Sequence, residues 1–252
     1  MKEVLLTGEE VLIERMTWQE IKAAMDSGKR TAIVVAGSSE QHGPHLPEAT
    51  DSLLGEAIAV RLARELGDAL VAPVIRPGCS DHHMAFPGTI TIEQSLLIGL
   101  LDAYVKSLER HGFRRFVVFA SHGGNFPALA EWEGRYDRPG VVVNHDFQGF
   151  VGAMLSALSQ FGRDDKTTPH ADVTETAEML YAYPELVRRD RIETGFVGDV
   201  DLAKLLANGL DSVSANGVLG NPVGATEEMG EAVMTSLVRY LAAFVRERQA
   251  TA

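Results

Sequence analysis

Three short polar segments in this chain hold imidazoles beside carboxylates, and each lies downstream of an apolar run. GSSEQHGPHLP (37–47) follows TAIVVA (31–36) and is itself followed by Asp51. SHGGN (121–125) follows RFVVFA (115–120), and HADVTET (170–176) comes a helix's length after VVVNH (141–145). Imidazole and carboxylate are the donor types that bind divalent Zn or Mn. In extended chain, residues two apart project to the same side, so Glu40 and His42 can address one point in space. Each residue alone also has a plainer use. Asp51 suits a helix N-cap, Glu175 suits the first turn of a helix, and His122-Gly123-Gly124-Asn125 suits a tight turn or a phosphate cradle at a helix N-terminus. What favours chemistry is convergence, because three of four strand-like runs lead to His accompanied by Asp or Glu.

These residues need a scaffold that brings the three segments together. The runs 31–36, 69–75, 115–120 and 141–145 are short, apolar and rich in β-branched residues, as buried parallel strands are. Helical patterns alternate with them. Thr17-Trp18-Gln19-Glu20 has capping-box spacing and opens a helix towards Ser27-Gly28, and Thr91-Ile92-Glu93-Gln94 does the same for a helix ending near His111-Gly112. Asp51 to Leu66 and Thr226 to Arg248 read as further helices. The alternation predicts an α/β fold, one domain with a mostly parallel sheet covered on both faces. Ligands of such sheets bind beyond the carboxyl ends of the strands.

The remaining run, ALVAPVI (69–75), leads into PGCSDHHMAFPGT (77–89). Neighbouring residues of extended chain point apart, so at most one of His82 and His83 is expected to enter a site. With Phe86, the segment reads as a pocket wall. Cys79 reads as a buried structural thiol.

Composition narrows the function classes. The 252 residues carry 23 Lys+Arg against 35 Asp+Glu, a formal net charge of -12 that repels phosphate backbones and anionic membranes. Neither nucleic acid nor membrane is an expected partner. The single cysteine and the acid-interrupted N-terminus MKEVLLTGEEVLIERMTW point to a cytoplasmic protein without a signal peptide.

GSSEQHGPHLPEATD (37–51), SDHHMAFPGTIT (80–91), SHGGN (121–125), HADVTETAEML (170–180) and, less closely, GVLGNPVGATEEMGE (217–231) resemble the creatininase (creatinine amidohydrolase) family in its own order. The resemblance implies a single-domain three-layer α/β/α sandwich holding two divalent metal ions, zinc with manganese, iron or another ion. It implies Glu40, Asp51 and His122 around one metal and His42, Asp51 and Glu175 around the other, with Asp51 bridging. His170 matches a histidine assigned to proton transfer, so His170 and Glu175 are the expected catalytic residues. His82, His83, Phe86, Gly123, Gly124 and Asn125 are expected to line the pocket for a small-molecule substrate.

A metal pair roughly 3.5–4 Å apart activates water and polarises a carbonyl, so the implied reaction is hydrolysis of a C–N bond in a small cyclic amide or formamide. Hydrolysis of a C–C or ester bond in a cyclic polyol ketone or lactone is the alternative, as is a peptidase-like role in cofactor maturation. A homo-oligomer, a hexamer by resemblance, is also implied. The chain departs from creatininase proper in several places, among them the SDHHMAFPGT segment (80–89) and Asp172, where the family usually has glycine. Gly124 stands where that enzyme has a carboxylate two residues after the metal-binding His, and Lys166-Thr167-Thr168-Pro169 stand where it has a tryptophan.

Overall fold

Every residue of TAIVVA is buried, which is what a central strand with helices on both faces requires. This run is β1 (Thr31–Ala36) in a computed structural model that describes residues 8–136, 139–163 and 170–250. With β2 (Ala69–Val71), β3 (Arg115–Ala120) and β4 (Val141–Asn144) it makes a wholly parallel sheet in the order β2-β1-β3-β4. Thr31 stands opposite both Ala69 and Arg115, and Phe116 opposite Val141. β2 is shorter than the sequence pattern predicts. Pro73 has no N–H to give the ladder, so pairing lapses and resumes at Ile75, whose N–H donates to Val35 O at 3.0 Å and whose carbonyl accepts from Gly37 N at 2.9 Å.

The helices are α1 (Trp18–Asp26), α2 (Thr50–Leu66), α3 (Gln94–His111), α4 (Phe126–Arg135), α5 (Phe147–Ser159), α6 (Val173–Ala182), α7 (Leu202–Asn208) and α8 (Glu227–Ala250). Chain direction assigns their layers. The step from β1 to β2 runs one way across the sheet, and the steps from β2 to β3 and from β3 to β4 run the other. Right-handed crossovers therefore put α2 on one face and α3 and α4 on the opposite one. α5, α6 and α8 pack on the α2 side, completing three layers.

Thr17 caps α1 with the expected box, its Oγ1 accepting from Glu20 N while Glu20 Oε2 accepts from Thr17 N at 2.6 Å. Thr91 does not cap α3. That helix starts at Gln94 with Glu93 at the N-cap, and Thr91 Oγ1 accepts instead from Ser80 N at 3.0 Å, tying the 77–89 segment down. Among the described residues no helix is long and apolar enough to cross a membrane.

Because the crossovers leave β1 in opposite directions, the loops after β1 and β3 separate above the sheet and leave a crevice between them. This is where an open α/β sheet binds ligands. Gly55 lets α2 approach that crevice, since a Cβ there would stand 2.5 Å from Ser121 Oγ and 2.7 Å from Val35 Cγ1.

Candidate metal centre

The loop after β1 delivers Glu40 and His42 and the first turn of α2 delivers Asp51. The loop after β3 delivers His122, and the start of α6 delivers Glu175. Glu40, His42, Asp51 and His122 are all buried, at 0–4 % exposure. Two sets of three have donor atoms mutually within 4.8 Å: Glu40, Asp51 and His122, and His42, Asp51 and Glu175. A third set is Glu40, His42 and His170.

Hydrogen bonds at the far side of each ring decide which nitrogen faces the cluster. His42 Nδ1 donates to Glu40 O at 3.0 Å, leaving the Nε2 lone pair 3.3 Å from Asp51 Oδ1 and 3.7 Å from Glu175 Oε2. His122 has the opposite tautomer. Its Nε2 donates to Cys79 O at 3.1 Å, which leaves Nδ1 3.1 Å from Glu40 Oε1 and 3.5 Å from Asp51 Oδ2. Asp51 thus offers one oxygen to each histidine.

Gln41 orders the remaining two rings. Its Oε1 accepts from Gly43 N, so its Nε2 amide faces Gly217 O (3.2 Å), His83 Nδ1 (3.0 Å) and His170 Nε2 (2.9 Å). Carbonyl oxygens only accept, so His170 Nε2 is the donor to Gln41 O, and its 2.9 Å approach to Gln41 Nε2 is then a contact between two N–H groups and not a hydrogen bond. Gln41 donates to Gly217 O and His83 Nδ1, His170 Nε2 donates to Gln41 O at 2.9 Å, and His83 Nε2 carries a proton facing Glu40 Oε1 at 3.3 Å. His170 Nδ1 is then a free lone pair, 3.8 Å from Glu40 Oε1.

The charges press the same way. Burial opposes the Glu40 carboxylate, but His122 and His83 outweigh it and hold that carboxyl well below its usual range. Burial opposes charged His42 and His122 too. The Asp51 and Glu175 carboxylates nevertheless raise His42 to about 10, and Glu40 raises His122 to about 9. Burial pushes Glu175 up to about 8 against the pull of His42, and burial with nearby His42 and His83 pushes His170 well down. Three carboxylates converging this closely require positive charge among them, supplied by protons or by metal ions.

Glu40 Oε1, His42 Nε2 and Asp51 Oδ2 are buried without a hydrogen-bond partner. Lone pairs converging from O and N donors, each ligand ring held by a backbone carbonyl, fit divalent cations. Glu175 is placed by its own loop. Its Oε2 accepts from Ala171 N at 2.5 Å, with Ala171 in the left-handed region at φ 51°, and Asp172 caps α6 by accepting from Thr174 N at 2.8 Å.

A cavity of 370 Å³ opens beside the donors, and His82, His83, Gly123 and Gly124 are among its lining residues. Both adjacent histidines reach it, contrary to the extended-chain expectation. Asp81–His83 form a 3-10 turn, which sets the two rings 4.2 Å apart rather than on opposite sides. Phe86 and Asn125 do not line it. Phe86 packs instead against Leu205, Leu210 and Leu219, which do line the cavity, in an apolar cluster distinct from the main core. The Asn125 side chain is consumed by Ala36 O, Gly37 O and Cys79 N at 2.9–3.1 Å. Lys166, Thr167, Thr168 and Pro169 lie outside the described residues.

Gln41 and Ser38 carry structural work that the sequence pattern hides. Ser38 Oγ donates to Glu40 Oε2 at 3.2 Å, within hydrogen-bond reach of Ser80 Oγ at 2.6 Å. His45 is tied to α6 through Nε2 and Thr176 Oγ1 at 2.8 Å, the loop-holding role its position favours. Gly124 permits no side chain, for a Cβ would collide with Cys79 O and stand 2.5 Å from His122 Nε2. A carboxylate cannot enter the site from that position.

Comparison with known proteins identifies the family. The family profile for creatininase, described as creatinine amidohydrolase, matches residues 14–245. A mycofactocin precursor peptide peptidase of Mycolicibacterium smegmatis is 33% identical over 235 residues, covering 86% of this chain and 85% of the relative. The creatinine amidohydrolase of Pseudomonas putida is 28% identical over 254 residues, covering 94% and 96%. A mutant creatininase of Zn-Zn type superposes with a TM-score of 0.75 at 29% identity, covering 96% of this chain and 99% of that one. The chain belongs to the creatininase family and is one of its metal-dependent hydrolases.

Proposed function

We propose that this protein is a two-metal hydrolase that cleaves a C–N bond of an amide. The observation that carries the reading is Asp51. Its Oδ1 faces His42 Nε2 while its Oδ2 faces His122 Nδ1, and Asp51 belongs both to the set with Glu40 and His122 and to the set with His42 and Glu175, so one carboxylate serves two donor sets. Glu40, Asp51 and His122 would hold one cation, and His42, Asp51 and Glu175 the other. When bound, a pair of Zn or Mn ions polarises a carbonyl and lowers the pKa of water.

The chain's own residues supply the rest. Backbone carbonyls hold both ligand rings in their lone-pair tautomers. Gln41 turns His170 so that Nδ1 faces the cluster, where a neutral imidazole accepts a proton and hands it to a leaving nitrogen. Glu40, kept ionised by its histidine neighbours, stabilises the imidazolium that forms. Amidohydrolase and peptidase, the activities named for two relatives, both break C–N bonds. Creatinine itself is disfavoured because the position of the creatininase carboxylate is sterically closed at Gly124. By the same family likeness, the chain assembles as a homo-oligomer.

Elemental analysis tests this directly. Protein purified with Zn or Mn present should hold close to two metals per chain, Asp51→Asn should lose both, and His42→Ala should lose one. Full metal content in Asp51→Asn would refute the shared-carboxylate reading.

A further inference from the structure

One turn beyond Glu175, α6 carries a second acid that no step above uses. Glu178 is 1 % exposed, lines the same cavity as Glu40, His122 and Glu175, and its Oε1 has no hydrogen-bond partner. Residues three apart share a helix face with Cβ atoms about 5–6 Å apart, so Glu178 lies one step along α6 from Glu175 on the cavity wall. Arg61 of α2 draws the Glu178 carboxyl down from a distance but does not pair with it. That guanidinium spends Nη2 on Thr235 Oγ1 at 2.8 Å, and no ion pair within 4 Å joins it to Glu178.

The walls around the acid are apolar: Leu54 and Ile58 from α2, Phe150 and Met154 from α5, and Leu237 from α8. A buried, unpartnered carboxyl in such a wall costs stability, and apolar residues of similar size would fill the space without that cost. Burial, then the neighbouring Glu175 and Asp172 carboxylates, push the Glu178 carboxyl well above its ordinary range. In either protonation state it accepts a hydrogen bond from a hydroxyl. A small flat polar substrate held at the metal ligands would leave both the apolar walls and the acid unmatched.

We propose, resting on the two-metal reading above, that the substrate is an amide bearing an uncharged apolar arm that fills this cavity and ends in a hydroxyl-type donor received by Glu178. One helical turn advances about 5.4 Å, which suits an arm of roughly four or five methylenes or a ring of similar reach. The acid is a specificity residue: it touches the far end of the substrate and takes no part in bond cleavage.

Titration calorimetry on the metal-loaded protein, with acetamide, hexanamide and 6-hydroxyhexanamide as probes, tests both halves. At about 0.8 kcal/mol per buried methylene, the four extra carbons of hexanamide should tighten binding over acetamide by about two-hundredfold. The terminal hydroxyl should add a further fivefold to tenfold in wild type and in Glu178→Gln, and the preference should reverse in Glu178→Leu. Glu178→Leu should also melt no lower than wild type. Hexanamide binding no tighter than acetamide, a hydroxyl preference that survives Glu178→Leu, or a lower melting point for that variant would each overturn the inference. Metal content measured on the same samples separates the causes of failure. A loaded protein indifferent to the arm sinks this inference alone, whereas a protein that never holds metal sinks the two-metal reading and this inference with it.

Discussion

Gly124→Ala isolates the packing that holds His122 in place. An added Cβ would collide with the Cys79 carbonyl oxygen and stand 2.5 Å from His122 Nε2, the two atoms that form the 3.1 Å hydrogen bond fixing this ring. One of them must move. Inserting a methyl into a closed site costs about 1–3 kcal/mol, and losing the hydrogen bond between buried partners adds roughly 1 kcal/mol. For a chain of this size 1 kcal/mol shifts Tm by about 2–4 °C, so the metal-free variant should melt about 5–10 °C below wild type. Loss of the backbone tether that presents Nδ1 should weaken metal affinity at the Glu40–Asp51–His122 set by about 10–100-fold. Chelator competition reads the affinity and calorimetry reads the melt. Gly123→Ala is the internal control, because its Cβ would meet only Phe147 Cε2 at an ordinary 3.5 Å. If both alanine variants behave alike, or if Gly124→Ala keeps wild-type metal affinity, the argument that backbone crowding positions His122 fails.

Two further outcomes follow from buried histidines. His45 is pushed down to about 4, first by burial and then by nearby His42; its unfolded value is about 6.5, so its contribution is intact above about 6.5 and is lost as pH falls towards about 4, costing roughly 2 kcal/mol at about pH 5. Urea unfolding should therefore show His45→Gln less acid-sensitive than wild type by about that margin, and parallel pH curves would contradict it. His42 and His122, raised to about 10 and about 9 in the metal-free protein, hold protons at neutral pH that a cation must displace. Apparent metal affinity should rise with pH, by about tenfold per unit at each of the two sets below about pH 9, and a flat profile in chelator competition would show that these rings are not ligands.

The alternation of apolar runs and amphipathic stretches announces the parallel sheet because it is written in local periods, as does the capping box at Thr17, whose partners lie three residues apart. Thr91 has the same spacing and another job. Its hydroxyl is claimed by Ser80, and a pairing across an eleven-residue loop leaves no periodic trace. His82 and His83 mislead for a related reason: alternation holds only in extended chain, and these two occupy a 3-10 turn.

The same distinction runs through the site. Glu40 and His42 are legible as a pair because residues two apart face one way, and Asp51 because it opens a helix. What decides the chemistry is which nitrogen of each ring is left bare, and that is settled across the chain. Cys79 O sets His122 from 43 residues away, and the Gln41 carbonyl sets His170 from 129. The polar motifs therefore supply donors, while distant carbonyls and one glutamine decide how those donors present themselves. Glu178 belongs to neither group: its sequence neighbours make it look like one more acid on an amphipathic helix, and only the convergence of α2, α5 and α8 around it turns that acid into the polar end of an apolar cavity. A chain can on this account share the donor motifs of its family and still change its substrate, because the residues that read the far end of the substrate are set by helix packing, independently of the loops that carry the motifs.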